Sequence, residues 1–270
     1  MLTSKATSDP RLPSNIFLHS NFRENTERMA GDLELKLLGS WASPFAMRAR
    51  IALNLKGVGY ELLKEVSGTK SELLLKSNPV YKKIPVLIHH GKPICESMII
   101  VQYIDEVWAA AGPSILPSDP YERAIARFWI VYIDDKWFPS SLRTLRGLNE
   151  EAKAEAEEQL ANALPLLEDA FPKCSKGKDF FGGETIGYLD IALGCYLGWI
   201  KAIEKMTGIK ALDEAKTPTL VGWAERFCSG DAVKEVMPEA DELIEFTKLI
   251  QAIMNAAPGR QNMHVSKNDR

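Results

Sequence analysis

Hydrophobic and polar positions follow two different periods along this chain, and the change falls at a proline-rich segment, residues 111–120. Before this segment, short apolar runs bounded by glycine and proline predict buried strands between amphipathic helices. After it, apolar residues recur at helical spacing and no alternating strand pattern remains. We therefore expect an α/β domain over residues 33–110, a linker over 111–120 and an all-helical domain over 121–257. The predicted helices of the second domain are 121–146, 150–171, 188–206, 219–227 and 239–254.

The first strand and the first helix meet at a serine. Leu33–Leu38 is an apolar-rich run that predicts a short strand closed by Gly39, and Pro44 fits the first turn of a helix, where its missing N–H costs nothing. Ser43 then occupies the N-cap position. Its hydroxyl is either a plain cap, worth about 1 kcal/mol, or a hydrogen-bond donor aimed at an anion and assisted by the helix dipole. This segment alone leaves both interpretations open.

A second helix N-terminus follows a predicted hairpin over residues 86–95. Glu96 and Ser97 open the next helix, so the chain supplies a second hydroxyl at a second positive helix end. Ile84 precedes Pro85 at the mouth of the hairpin, where a cis X–Pro bond would turn the backbone groups outward. Two helix ends that favour anions and one exposed backbone edge indicate a small, extended, acidic ligand.

Three segments of the chain carry a family resemblance: S-W-A-S-P-F-A-M-R-A-R-I-A-L, N-P-V-Y-K-K-I-P-V-L-I-H-H-G-K-P-I-C-E-S and I-I-V-Q-Y-I-D-E. They resemble plant tau-class glutathione S-transferases in order and spacing, from about Asp32 to about Ala256. The resemblance implies a thioredoxin-like α/β N-terminal domain, with a mixed sheet flanked by helices, followed by an all-α C-terminal domain. It implies an enzyme of xenobiotic detoxification and stress response that conjugates glutathione to hydrophobic electrophiles, with glutathione-dependent peroxidase activity as a further expectation.

The resemblance makes Ser43 the catalytic residue, which stabilises the thiolate of glutathione. Lowering a thiol pKa by about two units requires roughly 2.7 kcal/mol of differential stabilisation. One O–H donor to a charged acceptor supplies about 1.5–3 kcal/mol, and a helix N-terminus supplies about 0.3–1 kcal/mol. No histidine lies near Ser43 in sequence, so a Ser-His-Asp triad has no support.

The remaining glutathione contacts are also implied by the resemblance. One end of the tripeptide, the γ-glutamyl carboxylate, would meet a helix N-terminus, the cysteinyl part would pair with backbone beside a proline, and the glycyl carboxylate would face two lysines. Arg48, one turn past the cap, is expected to be structural. The implied glutathione-binding residues are Lys70, Lys83, Ile84, Pro85, Glu96 and Ser97.

The hydrophobic-substrate pocket has a weaker signal, because an aromatic residue at helical spacing usually belongs to a core. Two other functions use the same scaffold. A ligandin-like protein would bind hydrophobic organic anions without turnover, and a thiol-disulfide reductase would normally need cysteine at position 43, where this chain has serine. The residues that the resemblance places in the pocket are Phe45, Trp137, Ser141, Trp199, Phe246 and Ile250.

Composition argues against several other classes of partner. The formal net charge is −3, and no aromatic-studded basic stripe suggests a nucleic-acid surface. The 4 cysteines are widely spaced, without C-x-x-C or Cys/His ligand pairs, so neither a disulfide framework nor a metal site is indicated. Ile191–Ile200, the longest uncharged apolar run, is too short to span a bilayer. We expect a cytoplasmic homodimer that needs glutathione as co-substrate and no other cofactor.

The two ends of the chain and one acidic residue have structural interpretations. Residues 1–32 carry both signs of charge without periodicity, which predicts a disordered extension and not a targeting signal, and 258–270 is a polar tail. Asp190 resembles the acidic half of the family's helix-nucleating box, although Gly187 stands where the family has a hydroxyl. We expect Asp190 to stabilise the fold and not to act in catalysis.

Overall fold

The structure is a computed structural model, and it describes residues 35–66, 69–139 and 150–256. The expectations for residues 1–32, for Ser141 and for the tail 258–270 lie outside the described residues. Within the described part, no helix is long and apolar enough to cross a membrane. Its four cysteines are all free thiols.

A four-stranded mixed sheet forms the first domain, in the order β2-β1-β3-β4. β1 pairs in parallel with β2 and antiparallel with β3, and β3 pairs antiparallel with β4. The β3–β4 turn consists of His90 and Gly91, whose φ angles of 49° and 73° match the left-handed turn that suits the twist of a two-residue hairpin. The strands are β1 Leu35–Gly39, β2 Glu61–Lys64, β3 Val86–His89 and β4 Lys92–Cys95.

Three helices accompany the sheet: α1 Pro44–Leu55, α2 Glu72–Ser77 and α3 Ser97–Val107. α1 joins β1 to β2 as the crossover that a parallel pair requires. Its buried face packs with the apolar stripe of α3, which includes Ile100 and Ile104. The α/β architecture therefore agrees with the prediction, and all four strands precede residue 96.

The second domain consists of helices and loops, and among its described residues the one β-type pairing is an isolated bridge between Phe180 and Gly183. The predicted helix 121–146 begins at Pro120 and changes to a π-helical turn, Ile133–Trp137. The predicted helix 188–206 is two helices, because the amide of Tyr196 bonds to the carbonyl three residues back and tightens the turn. The helices are α4 Pro120–Tyr132, α5 Glu150–Ser175, α6 Tyr188–Gly194, α7 Leu197–Thr207, α8 Pro218–Ser229, α9 Asp231–Lys234 and α10 Ala240–Ala256.

A buried ion pair holds the segment between the two domains. The ammonium group of Lys56 lies 2.8 Å from the Asp105 carboxylate and donates to the carbonyl of Pro113 at 2.7 Å. The same carboxylate accepts from the amides of Ile115 and the residue after it, each at 2.9 Å. The amide of Tyr188 in turn donates to the Ile115 carbonyl at 2.9 Å. The linker is therefore bonded to the first domain on one side and to the second on the other.

Asp190 closes a loop in the second domain, as expected for a structural residue. Its fully buried carboxylate accepts from the amides of Phe181, Gly182 and Gly187 and from the indole N–H of Trp223, at 2.7–2.9 Å. Burial raises the pKa of Asp190 to about 6, and the four N–H donors act in the opposite direction.

Gly182 and Gly187 approach each other closely beside this carboxylate. A Cβ atom added at Gly187 would lie 2.8 Å from the Cα of Gly182, and one added at Gly182 would lie 2.7 Å from the Cα of Gly187. Both distances are shorter than real carbon contacts allow, so neither position accepts a side chain in this conformation.

Candidate active site

One edge of the sheet collects the segments that the sequence singles out. The C-terminal ends of β1 and β4 lie beside the N-terminal end of β3, because the first residue of β3 pairs with both neighbouring strands at these ends. Ser43 follows β1, Ile84 and Pro85 precede β3, and Glu96 with Ser97 follows β4. The structure therefore brings both helix N-termini and the proline segment to the same edge.

Ser43 is the N-cap of α1, as predicted. Its φ and ψ angles of −83° and 115° are extended, and its half-buried Oγ accepts from the amide of Ala46 at 3.2 Å. Capping uses a lone pair of the hydroxyl and not its proton. The Oγ–H can therefore donate to an anion placed beyond the helix end, where the dipole of α1 also attracts negative charge.

The N-terminus of α3 has the character of an anion site. Its N-cap is Glu96, whose exposed side chain makes no capping hydrogen bond, and the first turn contains no acidic residue. Glu96 has a φ of 70°, a left-handed conformation that is uncommon for a residue with a side chain and that is concentrated at ligand sites. Within the part of the chain that the structure describes, no side chain therefore caps the first amides of this helix.

Arg48 sets the orientation of the Ser97 hydroxyl. The fully buried guanidinium donates to Ser97 Oγ at 3.2 Å. It also donates two hydrogen bonds, of 2.6 and 2.9 Å, to the carboxylate of Asp134. Because Ser97 Oγ accepts from Arg48, its own proton is turned towards another acceptor. The structural role expected for Arg48 is confirmed, and it includes a direct contact with a predicted glutathione ligand.

Asp134 and Tyr196 complete this buried network, and the sequence analysis assigned neither of them. Tyr196 donates from its hydroxyl to Asp134 at 2.9 Å, and its ring lies 5.2 Å from the Arg48 guanidinium carbon. The neighbouring Cys195 is also fully buried, and burial raises the pKa of its thiol to about 12, so this thiol stays protonated. An arginine on the apolar face of α1 was the available signal, since a buried cation needs an acidic partner.

The two lysines and the proline segment lie at the edges of the site. Lys70 and Lys83 are both exposed, Lys70 just before the N-cap of α2 and Lys83 just before Ile84. The Ile84–Pro85 peptide bond is cis, as the sequence predicted. Ile84 is half-buried and Pro85 is buried.

Aromatic residues of the second domain cover the turn that carries Ser43. Trp199 on α7 donates its indole N–H to the carbonyl of Ala42 at 2.8 Å. Phe246 on α10 packs edge-on against Trp41, with ring centroids 5.4 Å apart. Trp41 is 37% exposed and was not assigned from the sequence, although it lies two residues before Ser43. These rings place an apolar surface directly beside the serine.

Phe45, Ile250 and Trp137 are the other described residues that the sequence analysis predicted for the hydrophobic pocket. Phe45 is half-buried and packs edge-on against Phe138 and Tyr196, and Ile250 follows Phe246 by about one turn of α10. Trp137 is 0% exposed and packs against Tyr196 in the core. In this structure Trp137 therefore faces no cleft, which differs from the sequence prediction, because its ring completes the buried packing of the π-helical turn.

Comparisons with known proteins agree with this fold and site. The family model of the glutathione S-transferase N-terminal domain matches residues 33–106, and that of the glutathione S-transferase C-terminal domain matches residues 127–231. Glutathione S-transferase U17 of Arabidopsis thaliana is 60% identical over 217 residues, which are 80% of this chain and 96% of that protein. Probable glutathione S-transferase GSTU6 of Oryza sativa subsp. japonica is 55% identical over 82% of this chain and 96% of that protein.

Solved structures give the same result. The crystal structure of a tau class glutathione S-transferase from mango, Mangifera indica, is 63% identical with a TM-score of 0.78 and covers 80% of this chain and 98% of that one. A rice glutathione S-transferase solved in complex with glutathione is 37% identical, with a TM-score of 0.73, over 81% of this chain and 98% of that one. The chain therefore belongs to the glutathione S-transferase family. Within that family it is an enzyme of the plant tau class.

Proposed function

We propose that this enzyme conjugates the thiolate of glutathione to hydrophobic electrophiles, and that Ser43 stabilises the thiolate. The observation that carries the proposal is the placement of the Ser43 hydroxyl. It caps α1 with a lone pair, keeps its proton for another acceptor, and lies beside the apolar surface of Trp41, Trp199 and Phe246. A thiolate held there meets an apolar second substrate directly.

Glutathione would bind along the sheet edge. Its γ-glutamyl carboxylate fits the N-terminus of α3, where the Ser97 hydroxyl is oriented by Arg48 to donate. Its cysteinyl backbone would pair with the segment at Ile84, and its glycyl carboxylate would face Lys70 and Lys83. The rice relative solved with glutathione supports this assignment of the ligand.

In the proposed reaction the protein contributes the Ser43 hydroxyl and the dipole of α1. The thiol of glutathione gives its proton to solvent, and the Oγ–H of Ser43 with the dipole of α1 stabilises the sulfur anion. The sulfur then forms a bond to the electrophilic carbon. The electron pair displaced from that carbon leaves with the leaving group, or it stays on the substrate and takes up a proton when the reaction is an addition.

The paired variants Ser43→Ala and Ser97→Ala test the division of labour between the two serines. Ser43→Ala should lower kcat/KM for an aryl halide at least about tenfold and raise the pH of half-maximal rate, because the thiolate loses one donor worth about 1.5–3 kcal/mol. Ser97→Ala should mainly raise KM for glutathione, because it removes a contact to a part of the substrate that does not react. Initial rates measured over pH and glutathione concentration give both quantities.

Ser229→Ala is the matched control, because this exposed hydroxyl lies in the second domain and donates to the carbonyl of Arg226. It should leave both parameters unchanged. If the pH of half-maximal rate does not rise in Ser43→Ala, the role proposed for Ser43 is wrong. Binding of an apolar dye by the wild-type protein without turnover of the aryl halide would favour a ligandin-like function.

We also infer that the enzyme is a homodimer. α3 and α4 expose large apolar side chains that a monomer would leave in water, and a second copy of the chain would bury them. Sedimentation equilibrium should give twice the chain mass of 30.1 kDa, and a mass equal to one chain would contradict the inference. The side chains in question are Ile99, Val107, Tyr121, Phe128 and Val131.

We place the enzyme in the cytoplasm. The four cysteines are free thiols, which suits a reducing compartment, and the proposed reaction consumes glutathione in its reduced form. Imaging of a fluorescent fusion of the full chain tests the location.

A further inference from the structure

A second cavity lies in the helical domain, between α7, α8 and the loop 208–217 that joins them. Its volume is 590 Å³, within the range of about 300–1,000 Å³ that is typical of small-molecule pockets. Nothing in the proposed conjugation uses this cavity.

The cavity and the site at Ser43 lie on opposite faces of α7. Trp199 and Ala202 of this helix face Ala42 and α10. The cavity is lined instead by Leu197, Ile200 and other residues of α7 that are rotated by roughly 100–160° from Trp199 about the helix axis, given about 100° per residue. A ligand in the cavity would therefore share no wall with the thiolate site.

The floor of the cavity is apolar. Leu197, Ile200 and Ala224 line it and are 2%, 5% and 8% exposed, and the half-buried Leu212 and Val221 stand beside them. Contact with such a floor favours a ligand with an aromatic or aliphatic body.

The rim of the cavity carries more negative than positive charge. Glu204, Asp213, Glu214 and Glu225 contribute four carboxylates, and two lysines, 201 and 210, contribute two ammonium groups, so the local sum is −2. Among the residues that the structure describes, no lysine or arginine forms an ion pair with any of these four carboxylates. The rim thus presents carboxylates that lack a cation of their own.

We propose that this cavity binds an amphipathic organic cation, with the apolar body on the floor and the ammonium or aromatic iminium group at the rim. Charge complementarity selects this class, because an acidic rim attracts cations and repels anions. Glutathione and its conjugates carry two carboxylates, so the rim disfavours the ligands of the thiolate site. The same molecule would then hold cationic and anionic ligands at separate places.

Fluorescence titration with the planar cation 9-aminoacridine tests the proposal on the full-length protein. The dye should bind the wild-type enzyme at one site with an affinity that weakens as salt is added. A saturating concentration of S-hexylglutathione should leave its binding unchanged. Absence of saturable binding, or displacement by S-hexylglutathione, would overturn the proposal.

Three variants locate the dye. The double variant Glu204→Gln/Glu225→Gln should weaken dye binding at least about fivefold, because it removes two of the four rim charges. Val221→Trp should abolish binding by filling the cavity from its half-buried edge. Glu235→Gln removes an exposed carboxylate just after α9, outside the cavity; it is the matched control and should bind as the wild type does.

Conjugation rates with an aryl halide should be the same in all three variants, which separates this cavity from the site at Ser43. Retention of wild-type dye affinity by the double variant or by Val221→Trp would show that the dye binds elsewhere and that the proposal is wrong.

Discussion

Ser43 and Ser97 both lie at the N-terminal end of a helix, the first as N-cap and the second as first residue, but their hydroxyls have different partners. Ser43 accepts from the amide of its own helix, whereas Ser97 accepts from Arg48, a side chain of another helix. In both cases the hydroxyl proton points away from the N–H group that donates to the hydroxyl oxygen. The two residues can therefore donate to two different parts of one anionic ligand.

Ser43→Cys changes the chemistry at a fixed position. A cysteine at the N-cap of α1 should have a lowered pKa, because the helix dipole stabilises its thiolate. Its thiolate should attack the glutathionyl sulfur of a glutathionylated disulfide, keep that group as a mixed disulfide and release the other thiol. A glutathione thiolate then regenerates the cysteine and leaves as glutathione disulfide, so the variant should gain reductase activity on glutathionylated disulfides while it loses conjugation. Mass spectrometry and paired activity assays measure these changes. A variant that conjugates at the wild-type rate and whose cysteine resists thiol reagents would show that position 43 does not face the reacting sulfur.

Asp190 gives a prediction of pH dependence. Its pKa is about 6 in the folded protein against an ordinary value of 3.8, so between these values the folded state binds more protons than the unfolded chain. The contribution of this carboxyl to stability is therefore fully present below pH 3.8 and is lost as the pH rises through about 6.

Urea unfolding of the wild type and of Asp190→Asn at several pH values tests this direction. The free energy of unfolding of the wild type minus that of the variant should fall by roughly 3 kcal/mol from acid to neutral pH, given 1.36 kcal/mol per pKa unit. If the difference instead grows with pH, the four N–H donors lower the pKa of Asp190 by more than burial raises it.

For single residues, the local sequence was enough to predict a position wherever the position depends on a nearby turn or helix cap. The positions of Ser43 and of the Ile84–Pro85 cis bond follow from turn and cap chemistry within a few residues. Asp134 and Trp41 could not be found in this way. Their partners, Arg48 and Phe246, lie far away in sequence and are chosen only by packing of the two domains.

At the scale of elements, the apolar pattern predicted the strands β1, β3 and β4 and most helices, but it did not predict β2 or where packing alters a helix. The π-helical turn Ile133–Trp137 continues the helical pattern of α4, so the hydrophobic periodicity does not predict it. The break between α6 and α7 falls within a continuous apolar run. The hydrophobic pattern of such a run is the same for one continuous buried helix and for two consecutive helices, so the pattern does not predict the break.

The linker prediction concerns the pair of Lys56 and Asp105. Asp105→Asn should lower the free energy of unfolding by about 3–5 kcal/mol, because it leaves a buried ammonium group without a counter-charge. One of the two linker amides also loses its acceptor. Urea denaturation measures the loss. The matched control Asp241→Asn, which breaks an exposed pair with Lys205, should cost less than about 1 kcal/mol.

An equal effect of the two substitutions would contradict the role given to the linker pair. The wild-type enzyme and Asp105→Asn should also differ in protease sensitivity, with new cleavage near the linker, since its backbone is tied to the first domain mainly through this carboxylate.

At the scale of the whole molecule, the two domains share one buried core. The same cluster contains Leu37 of the sheet, Ile115 of the linker and Trp223 of α8. The Arg48–Asp134 pair crosses between the domains within this core. The sequence indicated two domains but not that they fold around common contacts, because the pattern of one segment carries no information about its partner.

A double-mutant cycle measures the coupling between the domains. Asp134→Ala should destabilise the protein by about 3–5 kcal/mol by leaving the Arg48 guanidinium buried and unpaired. The double variant Arg48→Met/Asp134→Ala should lose less stability than the two single variants, Arg48→Met and Asp134→Ala, lose in sum, as judged by urea unfolding. Asp179→Asn, which removes an exposed pair with Arg226, is the control and should have little effect. Losses that simply add in the double variant would show that the two groups do not interact.

The close approach of Gly182 and Gly187 also constrains how this chain can change. The family's hydroxyl at position 187 would bring a Cβ atom to 2.8 Å from the Cα of Gly182. Restoring that hydroxyl alone therefore requires the neighbouring backbone to move, and with it an amide that holds Asp190. The two positions are therefore coupled: a serine or threonine at position 187 fits only together with a changed backbone conformation at Gly182.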